Sequence, residues 1–319
     1  MFKTKKLFSI LLTLLMVFSL SACGTNTSKN SGTNDKSKSE TKVNKKTTYP
    51  LTIKDSYDRE ITLDKEPKKI VSIAPNITET IFALEKQDKL VGRTDFCDYP
   101  KEAKNIQSIG GLSNPNIEKI TELKPDVVIA STHFDKKVLK KLESLNIKVL
   151  VLYGEDNFVG AYETIKKVGL VVNAQNKADK IVSNMKKKIS TIEQKVKGKD
   201  TPSVYYVISY GKVGDYTATG ETFINQLIKM AGGKNIASDA KGWKYSIEKL
   251  VEKNPDIVIC SKYFNAKKGV KQTNGYKDLS AVKNNKLFEV DNNLIDRQGP
   301  RLADGLEELA KTIHPELFK

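Results

Sequence analysis

Short apolar runs alternate with segments of helical periodicity along most of the chain. Ile70-Val71-Ser72-Ile73-Ala74 reads as a buried strand, and Asn76 to Leu84 follows it with Ile77, Ile81 and Leu84 on one helical face. Asp126 to Ala130 is a second apolar run. Val138, Leu139 and Leu142 lead a helix, and Lys148 to Leu152 is a further strand. None of these runs alternates apolar with polar positions. Strands of that kind are buried on both faces, which predicts a parallel sheet flanked by helices.

A repeat organises the rest. Ile117 to Ser131, reading IEKITELKPDVVIAS, recurs 130 positions later as IEKLVEKNPDIVICS from Ile247 to Ser261, with nine of the fifteen positions identical. Each copy predicts a short helix stopped by Pro, then a buried strand. A weaker correspondence precedes the second copy: Val204 to Ser209 reads as a strand, and Thr219-Gly220-Glu221 opens a helix that runs through Phe223, Leu227 and Ile228 to Gly232-Gly233. Between the halves, Ala178, Ile181, Val182, Met185, Ile189 and Ile192 fall near helical spacing, with Asn173 as N-cap and Gly198 as stop. Such a helix spans roughly 35 Å, enough to cross two lobes. The expected fold class is α/β: an N-terminal lobe over 49–172, an interdomain helix over 173–198 and a C-terminal lobe over 199–319. The cleft between the lobes is the default binding site.

The N-terminus reads as an address. Lys3, Lys5 and Lys6 precede an apolar run from Leu7 to about Leu20, the length of a signal-peptide core and short for a bilayer span. Leu20-Ser21-Ala22-Cys23-Gly24 resembles the lipobox of bacterial lipoproteins, which implies a signal peptide over 1–22 and a diacylated Cys23. Two acyl chains anchor firmly where one is marginal. Residues 23–48 then form the anchor and a tether of Ser, Thr, Asn and Lys, too polar to offset its own ordering entropy. The expected location is the extracytoplasmic face of a cell membrane, lipid-anchored.

Composition narrows the function. The chain has 319 residues, 54 Lys+Arg against 38 Asp+Glu, and a formal charge of +16. The excess is diffuse, and faces such as Lys186-Lys187-Lys188 read as solvated surface rather than a nucleic-acid stripe. Three Cys exclude a disulfide scaffold and two His make a His-rich metal site improbable, so no metal site and no cofactor are expected. Gly110-Gly111 lacks the Gly and Lys of a phosphate loop, and no Gly-x-Ser-x-Gly elbow occurs. A carrier is therefore expected rather than an enzyme, with a cell-surface enzyme or adhesion module as the alternative of another class.

The lipobox, the opening Ile70 to Leu84, the two Pro-Asp helix–strand units and the single strut together resemble the substrate-binding lipoproteins of ABC importers, in the group that binds cobalamin, haem and ferric siderophores. The resemblance covers about Tyr49 to Phe318 and implies two Rossmann-like lobes joined by one long helix. Thr94 to Pro100, Gly110 to Asn116 and Asp296-Arg297-Gln298-Gly299-Pro300-Arg301 are most similar to the cobalamin (corrinoid) binders. The implied ligand is cobalamin or a related corrinoid, with a ferric siderophore or haem as the alternative. The implied partners are the permease subunits and, through them, the ATPase. Glu79 and Glu221, near the starts of corresponding helices, are implied to dock on the permease, although acidic residues also favour a first helical turn through the helix dipole. A monomer is expected.

A flat macrocycle with amide arms calls for aromatic faces and polar rims in loops after the C-terminal ends of parallel strands. The candidates are Phe96, His133, Phe134, Tyr210, Tyr216, Trp243, Tyr245, Tyr263, Phe264 and Arg297, with Phe96 and Trp243 foremost. Any one of these aromatics could instead be core packing. His133 could ligate cobalt or haem iron, or be an exposed loop histidine. Cys260, standing where the first repeat has Ala130, is expected buried and inert, and Cys97 sits in a cleft-facing motif.

Overall fold

The computed structural model describes residues 45–132 and 134–319. Cys23, the signal segment, most of the tether and His133 lie outside the described residues. An antiparallel hairpin, β1 (Leu51–Lys54) with β2 (Glu60–Leu63), opens the fold. The N-terminal lobe follows as β3 (Ile70–Ser72), α1 (Pro75–Ala83), β4 (Leu90–Arg93), α2 (Ile117–Glu122), β5 (Val127–Ala130), α3 (Lys136–Ser144), β6 (Val149–Val151) and α4 (Phe158–Val171). Its four strands form a parallel sheet in the order β4-β3-β5-β6. Every residue of β3, β5 and β6 is buried, because helices cover both faces.

One long helix, α5 (Gln175–Val196), leads to the second lobe. Its buried positions Ala178, Val182, Met185, Ile189, Ile192 and Val196 recur at steps of four and three, the spacing of one helical face. That face packs on α4 and on α11 (Leu302–Ile313), so a single apolar core runs from Ile77 in the first lobe to Leu309 in the second. Each buried Val, Ile, Leu or Met side chain there contributes about 1.5–3 kcal/mol by burial. The helix does not start as the sequence suggests. Asn173 takes a left-handed φ of 53° after α4, accepts the Thr47 amide and donates to Glu66, while the N-cap is Ala174 without a side-chain cap bond.

The C-terminal lobe comprises β7 (Ser203–Ser209), β8 (Tyr216–Thr217), α6 (Phe223–Met230), β9 (Lys234–Asn235), α7 (Ile247–Lys253), β10 (Ile257–Ser261), α8 (Ala266–Gln272), α9 (Ser280–Lys283), β11 (Leu287–Val290), α10 (Asn292–Asp296) and α11. Its sheet runs β11-β10-β7, parallel, with β8 antiparallel and β9 parallel along the other edge of β7. The two repeat copies fold alike. Asn116 and Ser246 cap α2 and α7 by accepting the amides of Lys119 and Lys249, and Lys124 and Asn254 both turn through positive φ. Asp126 then accepts the amides of Lys68 and Lys69, and Asp256 that of Ser203, tying each copy to the first strand of its lobe. Pairing of Val127 with Ile70 and of Ile257 with Val204 completes the correspondence.

Candidate functional site

The sheet order determines where a site forms. In the first lobe β4 lies on one side of β3 and β5 on the other, so the loops after β3 and β5 diverge and leave a crevice at their carboxyl ends. A cavity of about 380 Å³ opens there. Ile73 to Asn76 line it after β3, Ser131, Thr132 and Phe134 after β5, and Asp156 after β6. Leu112 and Ser113 add to this wall, and Asp296, Arg297 and Gln298 close it from the other lobe. Asp156 is held by a tight turn: a Cβ on Gly154 would meet the Gly160 Cα at 2.3 Å, and Asn157 caps α4 by accepting the Gly160 amide at 2.9 Å.

Much of the polar lining is neutral. Asn76 Nδ2 donates to Ser131 Oγ at 3.1 Å and to the Gln298 carbonyl at 3.3 Å, while Gln298 Nε2 donates to Asp156. Asp296 accepts from Asn292 Nδ2 at 2.8 Å. Its side chain keeps solvent access, but the protein atoms crowded around it partly desolvate the carboxyl and raise it above the usual carboxylate value, against the opposing pull of Asn292 and Arg297.

Beside the cavity lies an ion cluster that joins the lobes. Glu79, only 4% exposed, receives Arg297 Nη1 at 2.8 Å and Arg301 Nε and Nη2 at 2.9 and 2.7 Å. Arg297 also donates to Asp98 at 2.8 Å and to the Phe96 carbonyl at 3.3 Å, and Arg301 stacks 3.6 Å above the Tyr99 ring. Two guanidiniums and two carboxylates balance. This corrects the expected docking role of Glu79, because a docking carboxylate has to be exposed and this one is enclosed and saturated. Nor is Glu221 its counterpart. Glu79 is the fifth residue of α1, whereas Glu221 is exposed, precedes the Thr222 N-cap of α6 and accepts the Gly242 amide at 3.1 Å. Glu118 and Glu248 do correspond: each is the second residue of its repeat helix and each is exposed. The repeat itself was the signal for them.

The aromatic candidates divide. Phe96 is 55% exposed and Trp243 48%, although neither lines the cavity itself. Phe264, also exposed, follows β10. Phe134 lines the cavity with little of its ring free. Tyr210 follows β7, half-buried edge-on to Tyr276, and Tyr216 carries Lys244 over its ring. Tyr263 donates to Asp291 at 2.9 Å and accepts from Asn293 at 3.0 Å. Tyr245 is a correction: it is 6% exposed, packed against Tyr205, and its hydroxyl donates to the Ile236 carbonyl at 3.2 Å, so it belongs to the core of the second lobe. Cys97 is likewise fully buried beside Thr94 rather than facing the cleft, and burial pushes its thiol up. Cys260 is buried, its thiol pushed up to about 12 by desolvation. Among the described residues no cluster of three His, Cys, Asp or Glu is placed to hold a metal ion.

Two α/β lobes on one strut, with a cleft of mixed apolar and polar lining between them, define a solute-binding protein. The chain belongs to the periplasmic binding protein family, whose model matches residues 70–294. It is 35% identical over 312 residues to the uncharacterized ABC transporter substrate-binding lipoprotein YvrC of Bacillus subtilis, covering 96% of each chain. It is 27% identical over 279 residues to a cobalamin-binding protein of Halobacterium salinarum, covering 83% of this chain and 74% of that one. A solved structure of a possible iron-binding (periplasmic solute-binding) protein from Staphylococcus epidermidis superposes with a TM-score of 0.69 at 30% identity, over 78% of this chain and all of that one. The protein is thus a substrate-binding component of the ABC-importer class, and its relatives include a cobalamin-binding protein and a haem-uptake protein.

Proposed function

We propose that the protein captures cobalamin or a related corrinoid outside the cell and delivers it to an ABC permease. The observation that carries this reading is the set of neutral hydrogen-bonding groups in the cavity (Asn76, Ser113, Ser131, Thr132 and Gln298), while exposed aromatic side chains outside it, Phe96 in one lobe and Trp243 in the other, are free to meet a ligand. A corrin ring edged with amide arms offers partners for both: donors and acceptors at its rim and a broad apolar face. The similarity to a cobalamin-binding protein supports the same reading. Haem is the second reading, and it would draw on His133 as an axial ligand.

Delivery needs an anchor and docking points. Cys23 supplies the anchor on this reading and the polar segment up to residue 44 the tether, shorter than the expected 23–48 because Lys45 pairs with Asp179 and the buried Thr47 bonds to Asn173 and Leu170; this puts the protein on the extracytoplasmic face of the membrane. Glu118 and Glu248 supply one exposed carboxylate per lobe at matching positions, with Glu221 as an additional acidic contact. The permease and its ATPase are the partners.

Isothermal titration of cyanocobalamin into the chain beginning at Gly24 tests the ligand, with haem and ferric hydroxamate and catecholate siderophores as comparators. One-to-one saturable binding of cobalamin alone supports the reading. Saturation by haem or a siderophore with no heat from cobalamin overturns it in favour of an iron carrier.

A further inference from the structure

The charge of the cleft runs against the charge of the molecule. The chain carries +16, yet the charged side chains lining the cavity are Asp156, Asp296 and Arg297. Three N–H bonds of Arg297 go to Glu79, Asp98 and the Phe96 carbonyl, and its charge is balanced inside the cluster that it forms with Glu79, Asp98 and Arg301. Asp156 and Asp296 have only neutral hydrogen-bonding partners, Gln298 and Asn292, and both are exposed. Lys136 at the start of α3 and Lys212, Lys241 and Lys244 in the second lobe do not line the cavity. One aspartate comes from each lobe, so a ligand held between the lobes meets both.

We propose that Asp156 and Asp296 are specificity-determining residues that make the cleft favour electroneutral and cationic ligands over those bearing carboxylate or phenolate charge. The inference rests on the carrier reading, and the corrinoid assignment can fail without it. A cleft with low-dielectric walls concentrates the field of its own charges, whatever the sign of the outer surface. At a separation of roughly 7 Å in a largely aqueous site, each carboxylate changes the affinity for a unit charge about threefold, and the pair about tenfold, at low salt.

Ligand pairs matched in shape but not in charge decide it. Cyanocobalamin is electroneutral and aquocobalamin is cationic; haemin carries two propionates and its dimethyl ester none. The full mature chain is titrated with all four at near-neutral pH, in low and high salt, and so are the Asp156→Asn and Asp296→Asn variants. Aquocobalamin is expected to bind roughly tenfold more tightly than cyanocobalamin at low salt, and the ester more tightly than haemin. Both gaps should narrow in high salt and in each variant. Visible spectra separate this effect from direct ligation of cobalt or iron by a side chain, which would survive both treatments.

Equal affinity within the pairs, tighter binding of haemin than of its ester, or gaps unchanged in both variants overturns the proposal. If neither tetrapyrrole binds, the corrinoid reading fails. The charge inference is then decided by cationic ferrioxamine B against trianionic ferric enterobactin, and preference for the trianion overturns it. If no ligand binds, the carrier reading and this inference fall together.

Discussion

Arg297 donates from Nη1 to Glu79 Oε1 at 2.8 Å across the junction of the lobes, and Arg301 closes on the same carboxylate through two further bonds. The carboxylate is buried while the arginines are largely so, which makes the cluster intolerant of losing one member. Glu79→Ala would strand the desolvated Arg301 and leave Arg297 with Asp98 and the Phe96 carbonyl alone, and is expected to lower the unfolding free energy by roughly 3 kcal/mol. Urea titration of the variant reads this directly. A loss within experimental error would mean that water replaces the carboxylate and that the lobes are held by the apolar strut alone.

The same arginine steadies the loop that carries Phe96, through the Phe96 carbonyl and Asp98. An aromatic ring left 55% exposed on such a loop is available to a ligand, as is Trp243 at 48%. Phe96→Ala and Trp243→Ala are each expected to weaken ligand binding by roughly tenfold, about 1.4 kcal/mol of lost ring contact, with little change in stability because neither ring is buried in the free protein. Calorimetric titration beside thermal unfolding separates the two effects. Tyr245→Phe is the contrast, since it removes a buried hydroxyl bond to Ile236 and should leave affinity alone.

Features with a local period were legible in the sequence. The two Pro-Asp units were visible as a repeat and fold with the same caps, turns and pairing register. The stripe of α5 was visible as four-and-three spacing and forms the strip that packs on α4 and α11. Polar pairing over long sequence separations left no such trace. Glu79 reads as an ordinary helix glutamate, and its partners Arg297 and Arg301 lie more than two hundred residues away. Tyr245 and Trp243 are two residues apart in one segment, so whether a ring faces core or solvent was set by the strands that fold around it. Asn173 has the composition of an N-cap but serves as the left-handed residue ending α4, because capping residues and left-handed turns favour the same side chain.

The repeat also sets an acid limit on stability. Burial raises the Asp126 carboxyl, but the Lys68 and Lys69 amides outweigh it, and the net shift is below the ordinary 3.8. The Ser203 hydroxyl and amide lower Asp256 in the same direction. Carboxylates depressed in the folded state bind fewer protons there than in the unfolded chain, so their contribution is present above about pH 4 and is lost as the pH falls through the lower folded values. Asp126→Asn and Asp256→Asn keep an acceptor oxygen but cannot titrate. Each is expected to cost no more than ~1 kcal/mol at neutral pH and to flatten the fall in stability on the acid side, read by urea titration across that range. An acid limb as steep in the double variant as in the parent protein would assign it to other carboxylates.

Docking and ligand capture should separate by mutation. Glu118 and Glu248 are exposed on first turns of the two repeat helices, and neither lines the cavity. Reversing both charges, Glu118→Lys with Glu248→Lys, removes one acidic contact per lobe and replaces it with repulsion toward a basic permease surface. Uptake of the labelled ligand by cells depending on this protein is expected to fall at least tenfold, while affinity in solution changes by less than about twofold, because surface charges distant from the ligand act weakly through water. Each single reversal should give an intermediate loss, since the two lobes contribute separately. Glu221→Lys, whose parent side chain is also exposed, is the internal comparison. If it abolishes uptake and the repeat pair does not, docking runs through the start of α6 and the repeat glutamates serve only as helix-dipole partners. If affinity and uptake fall together in the double reversal, the two helices reach the ligand and the separation of capture from docking is wrong.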